Sequence, residues 1–186
     1  MPRIRSRTII AVLIVVAGMA CSTGTATCVD ATLTREAQAA LDVAAAQIDF
    51  TPVLPCGYGP GFVVSAVIGD SLPGTPPQRR VSFIVERSGE RRYVLSETRA
   101  PIGSSQIPQS THRLRVAAGP IVAEGFAGPS GSGGEMAYLR WRTEGVTYEL
   151  DATLGRALDE AEVQRIASAL MLRGSAGGRP VPATPS

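Results

Sequence analysis

His112 is the only histidine in the 186-residue chain, so it is the first side chain to test for acid–base chemistry. Joined to a serine and a carboxylate it could serve a hydrolase, and Ser104, Ser105 and Ser110 precede it closely. None of these serines stands in a Gly-x-Ser-x-Gly turn, the device that exposes a serine nucleophile at a strand–helix junction. His112 therefore reads as a surface or strand-edge residue. The run Gly128-Pro129-Ser130-Gly131-Ser132-Gly133-Gly134 looks superficially like a phosphate loop. It lacks the lysine and the strand–loop–helix context of one, and reads as a flexible connection. All 18 basic residues are arginine, and the chain holds no lysine and no asparagine. That excludes a P-loop lysine, a Schiff-base lysine and a Cys-His-Asn triad. Glu149 and Asp151 share one side of a strand pattern, but a glycosidase needs its two carboxyls across a substrate cleft. Asp159, Glu160 and Glu162 cluster where carboxylates complement the start of a helix. No catalytic residue, metal or cofactor is assigned.

The three cysteines are Cys21, Cys28 and Cys56, an odd count. With Cys21 lipidated or cleaved away, the two remaining cysteines and one distant histidine do not make four zinc ligands. The segment before Cys21 supplies the context. Arg3, Arg5 and Arg7 precede an apolar run over residues 9–16, followed by Ala17-Gly18-Met19-Ala20. A basic start, a short apolar core and small residues at the exit read as a secretory signal over residues 1–20. The polar Ser22-Thr23-Gly24-Thr25 ends the run well short of the roughly 20 apolar residues of a spanning helix. Ala20 before Cys21 resembles the lipobox of bacterial lipoproteins, although Gly18 stands where a branched apolar residue is usual. Lipid on Cys21 is one reading; cleavage after Ala20 or Ala26 by a general signal peptidase is the other. Lipidation, or cleavage after Ala26, leaves Cys28 and Cys56 as a pair, which an oxidising compartment would join. Such a bridge would close a loop of about 29 residues and contribute roughly 3–4 kcal/mol in the chain-entropy treatment.

Loss of the signal removes three arginines, leaving 15 basic against 16 acidic residues, a net charge of −1. That balance argues against nucleic acid as a partner. Arg79, Arg80, Arg91 and Arg92 flank one hairpin and form a local basic edge. The edge serves solubility or meets anionic lipid headgroups.

The elements divide as follows: a signal over 1–20, a lipid-anchored tether over 21–31, one α+β domain over 32–172 and a disordered tail over 173–186. Ala37, Leu41, Ala44 and Ile48 fall on one face of a helix predicted over residues 33–48, with Thr32 or Thr34 as its cap. Strands are expected over 62–68, 80–86 and 92–98, the last two joined tightly through Ser88-Gly89-Glu90. Two more flank Gly119-Pro120. The plainest hairpin puts Leu139 and Trp141 on one face and Arg140 and Arg142 on the other. It turns at Thr143-Glu144-Gly145 and returns with Val146, Tyr148 and Leu150 inward. Arg140 and Arg142 then lie opposite Glu149 and Thr147. A closing helix over 159–172 carries Val163, Ile166, Ala167 and Leu170 on its apolar face, and Gly174 stops it. Strands grouped between two helices predict a curved antiparallel sheet with both helices on one face.

The hairpin string, with Trp141, Gly145, Tyr148 and Leu150 in a Trp-x-x-x-Gly-x-x-Tyr-x-Leu pattern, together with the closing helix, resembles a family of extracytoplasmic domains of unknown function. These occur in bacterial lipoproteins and in anti-sigma-factor-like proteins. More remotely the ending is similar to outer-membrane lipoprotein carriers. The resemblance covers about 35 residues and brings no catalytic motif with it. It implies a curved sheet over helices and a lipoprotein setting on the outer side of the cell membrane. The function expected is that of a non-catalytic, membrane-tethered interaction or sensor domain, with an envelope protein as partner. The alternative is a binder or carrier of a lipid or other apolar ligand. Its groove in the sheet would be lined by Phe62, Phe83, Trp141 and Tyr148; otherwise those side chains close into a core.

Overall fold

The computed structural model describes residues 27–101 and 110–175. The chain is α+β: an eight-stranded, mostly antiparallel sheet with one helix near each end packed against it. Two short strands, β1 (Val29–Asp30) and β2 (Thr32–Leu33), lead into α1 (Arg35–Ala45). A two-residue strand β3 (Cys56–Gly57) follows, and then β4 (Phe62–Leu72), β5 (Gln78–Arg87) and β6 (Glu90–Thr98). The second half holds β7 (His112–Ala118), β8 (Ile121–Pro129), β9 (Glu135–Thr143), β10 (Val146–Leu154) and α2 (Glu160–Ser175). The large sheet runs β2-β4-β5-β6-β10-β9-β8-β7, and β1 pairs with β3 separately. Only β2 lies parallel to its neighbour, β4. No helix among the described residues is long and apolar enough to cross a membrane.

Of the three two-residue hairpin turns among the described residues, those between β5 and β6 and between β9 and β10 are built alike. Ser88 and Gly89 have φ of 57° and 76°, and Glu144 and Gly145 have 49° and 75°. Two successive positive φ values give the turn whose twist matches paired strands, and glycine at the second position lowers its cost. The β9–β10 register then places Tyr148 opposite Trp141, Glu149 opposite Arg140 and Thr147 opposite Arg142, as the alternation in the sequence predicts.

One cross-strand row shows how the layers meet. Gly69 pairs with Val81, Val81 with Glu97, Glu97 with Tyr148, and Tyr148 with Trp141. Directly opposed residues share a face. A Cβ on Gly69 would stand 3.1 Å from the Ala44 Cβ of α1. A Cβ on Gly174 of α2 would stand 3.2 Å from the Tyr148 hydroxyl. Both helices therefore cover the same face and approach it closely through small residues. Thr34 caps α1, its Oγ1 accepting from the Ala37 N–H at 3.1 Å. Asp159 serves α2 in the same way, accepting from the Glu162 N–H at 2.7 Å.

Several boundaries differ from the sequence expectation, two of them where the chain enters the core. Gly174 does not stop α2; it is buried inside the last turn, where the helix packs on Thr143 and Tyr148. At the other end Cys28 and Ala31, assigned by sequence to the tether, lie in the core. Pairing of β1 with β3 and the bond from the Ala31 N–H to the Pro55 carbonyl at 2.9 Å bring them there.

Candidate binding face of the sheet

Cys28 and Cys56 form a disulfide with their Cα atoms 5.5 Å apart. The corner around it is held from several directions. The Tyr93 hydroxyl donates to the Cys56 carbonyl at 2.7 Å. From α2, Arg173 donates to the Cys28 carbonyl at 2.6 Å and pairs with Asp30. Sequence reasoning missed Arg173 because Gly174 reads as a helix end. Cys21, Ser104 and Ser105 lie outside the described residues.

His112 stands exposed at the start of edge strand β7, with its Nε2 2.9 Å from Glu160 Oε2 in the first turn of α2. Gln164 Nε2 donates to the other oxygen of Glu160 at 3.0 Å. Ser110 is also exposed. Among the described residues no group of three or more His, Cys, Asp or Glu is placed to hold a metal ion. Ser130, Ser132 and Gly134 of the glycine-rich segment close the β8–β9 turn on themselves through short local hydrogen bonds.

Phe62, Phe83, Trp141, Tyr148 and Leu150 come together, but as core: each is 5% exposed or less. Trp141 and Tyr148 stack face to face with ring centroids 5.3 Å apart. Phe62 lies against Tyr93, with the Arg87 guanidinium 4.9 Å above its ring. These rings fill the space between sheet and helices rather than opening a groove to solvent. Beside them lies Glu97, fully buried, with both carboxyl oxygens 3.1 Å from the Val53 N–H. Burial pushes its carboxyl well above the ordinary range, and the Val53 bond only partly opposes this. The alternation Tyr93, Leu95, Glu97 is the signal in the sequence that sets Glu97 on the apolar face of its strand. Trp141 Nε1 is buried with no acceptor among the described residues.

The opposite face carries no helix among the described residues and is lined with charge. Much of it is paired. Arg80 grips Asp70 through two bonds, of 2.9 and 2.5 Å, which holds the Asp70 carboxyl below its usual value. Arg92 pairs with Glu90 at 2.5 Å, and Arg79, which alternates with Arg80 to the other side of the sheet, donates to the Ser71 hydroxyl at 2.9 Å. The basic edge read from Arg79, Arg80, Arg91 and Arg92 is thus largely satisfied within the protein. Ser82 and Ser96 share a 2.8 Å hydrogen bond, and the Tyr138 hydroxyl donates to Glu149 at 2.9 Å. Desolvation, reinforced by the negative Glu149, keeps the Tyr138 phenol protonated.

The β7-β8-β9 end of this face differs. One row runs Arg113, Phe126, Tyr138, and the next runs Arg115, Glu124, Arg140. The Leu114–Gly125 backbone pair lies between them. Together these residues line a cleft of about 410 Å³. Phe126 and Tyr138 stack at 5.4 Å along one wall. Arg113 and Arg115 are exposed and make no ion pair or hydrogen bond with any described residue. Glu124 lies across from both Arg115 and Arg140 yet within ion-pair distance of neither. The alternation of 112–117 places Arg113 and Arg115 on one face, but nothing in the sequence tells which partners they lack. Comparison with protein-family profiles, curated proteins and solved structures finds no match to this chain.

Proposed function

We propose that the chain is a non-catalytic binding domain held at the outer side of the cell membrane by lipid on Cys21. The observation that supports this reading is the Cys28–Cys56 disulfide, which lies seven residues beyond the lipobox-like cysteine at its nearer end. A disulfide at the entrance to the fold suits an exported chain, since thiols stay reduced in the cytosol. The hairpin and closing helix that carry the family resemblance correspond to β9, β10 and α2, and their signature side chains serve packing. Binding, in this reading, falls to the helix-free face, where exposed side chains project from a rigid sheet.

Intact-mass analysis of protein made in an exporting bacterial host tests the anchor. The expected mature chain begins at Cys21, carries the mass of two or more acyl chains and has Cys28 and Cys56 oxidised. Two acyl chains suffice for stable attachment. Replacement of Cys21 by alanine is expected to move the chain from the membrane to the soluble extracytoplasmic fraction. A mature mass beginning at Thr27 without lipid overturns the proposal.

A further inference from the structure

We propose that the cleft between the Arg113–Phe126–Tyr138 and Arg115–Glu124–Arg140 rows binds a small organic phosphate, a ligand class that gives content to the binding role proposed above and rests on it. The phosphate is held by Arg113 and Arg115, and a flat apolar body lies against Phe126 and Tyr138.

Charge selects the ligand class. The lining holds three arginines and one glutamate, a balance of +2. A phosphate monoester carries about −1.5 to −2 at neutral pH and so neutralises it, whereas one carboxylate would leave positive charge behind. Guanidinium groups match phosphate geometry with paired N–H donors. Elsewhere on this face Arg80 and Arg142 are already committed to Asp70 and Thr147. Arg113 and Arg115 have no partner among the described residues, so binding breaks no existing pair of theirs. They stand two apart on one strand, roughly 7 Å between Cα atoms, which lets two side chains converge on one tetrahedral group.

Shape selects the size. A volume of about 410 Å³ lies in the range of small-molecule sites, roughly 300–1,000 Å³. Tyr138, half-buried, offers a surface for a ring or other flat group; Phe126, stacked against it, is itself only 8% exposed. Leu114 and Gly125 complete the lining between the two rows, and Leu114 is buried.

The test uses the full chain carrying Cys21→Ser, titrated with phenyl phosphate, inorganic phosphate and phenol and followed by backbone NMR. Phenyl phosphate is expected to shift the Gly125 and Tyr138 amides and to bind about tenfold tighter than either fragment, since it engages both walls. The Arg113→Gln/Arg115→Gln double variant is expected to bind roughly tenfold or more weakly while unfolding at the same denaturant midpoint. Arg35→Gln, on the helix-bearing side, should leave binding unchanged. The proposal fails if phenyl phosphate at about 10 mM, far above typical ligand affinities, leaves the cleft unshifted. It fails equally if inorganic phosphate produces the same response at arginines all over the surface, or if the double variant binds normally. Binding to vesicles rich in anionic phospholipid that the double variant loses, with no response to phenyl phosphate, would assign the face to a membrane instead. Because this chain is unlipidated, failure here leaves the Cys21 anchor standing. Absence of lipid in the mass analysis leaves the titration standing.

Discussion

Glu97 sits where a strand alternation should place an apolar residue, between Val81 and Tyr148 on the covered face. Its carboxyl fastens the loop after α1 by accepting from the buried Val53 N–H. The arrangement holds best when the carboxyl is protonated, because burial penalises the charged form most. The unfolded chain releases this proton in the ordinary carboxylate range, and the folded chain holds it to higher pH. Below that range both states are protonated and Glu97 contributes no pH dependence. As pH rises from there towards the raised folded value, only the unfolded state gains from ionising, so stability falls. Glu97→Gln keeps an acceptor for Val53 and removes the titration. It is expected to match the parent near about pH 4, the usual carboxylate region, and to exceed it increasingly as pH rises. Urea unfolding at a series of pH values measures this, and parallel curves would refute it. Glu97→Ala leaves the Val53 N–H unpaired and should cost about 1–3 kcal/mol at low pH.

Among the elements, the β8–β9 ladder depends most on a single position. A Cβ at Gly125 would run into the Tyr138 carbonyl, which is backbone and cannot swing aside. Gly125→Ala should therefore part the two strands and cost roughly 1–3 kcal/mol, in the manner of an overfilled core. Thermal unfolding would measure the loss, and an unchanged midpoint would show that β8 and β9 tolerate separation there. The same positions show what the sequence could reveal. The β9–β10 hairpin was legible because period-two alternation and a Glu-Gly turn both fix its register. Helix α1 was legible from its apolar spacing, although it ends three residues short of the Ile48 expected. The two-residue strands β1, β2 and β3 were not legible, since they are made by the disulfide and by loop pairing rather than by propensity. Gly174 misled because a helix-ending glycine and a glycine chosen for close approach look alike in one dimension. The cleft was hidden for a related reason: its walls come from three strands, and only register places Arg113 beside Phe126 and Arg115 beside Glu124.

Taken as a whole, the molecule is joined end to end at the disulfide corner. Residues before α1 and after it meet there, and Arg173 brings in the last turn of α2 through Asp30, Cys28 and Leu54. The sheet reaches the same corner through Tyr93 at Cys56 and Glu97 at Val53. These contacts connect the corner to strands in the middle of the sheet, so it should unfold with the domain and not as a separate unit. The bridge spans 28 residues of sequence separation, and closing a loop of that size contributes roughly 3–4 kcal/mol through the unfolded chain. Most domains have a total stability of only about 5–15 kcal/mol, so the bridge is a large share of it. The Cys28→Ser/Cys56→Ser variant should therefore keep a single cooperative transition while losing stability by about that amount. Denaturant unfolding followed by both Trp141 fluorescence and far-ultraviolet circular dichroism measures this. Trp141 lies in the core beneath α2 and reports packing, while the dichroism reports the sheet. If the two signals separate, with dichroism lost later, the corner is an independent unit and the argument for a single cooperative domain is wrong. If they coincide at a lower midpoint, the bridge acts through the whole domain, and the reduced chain has a far smaller margin of stability than the oxidised one.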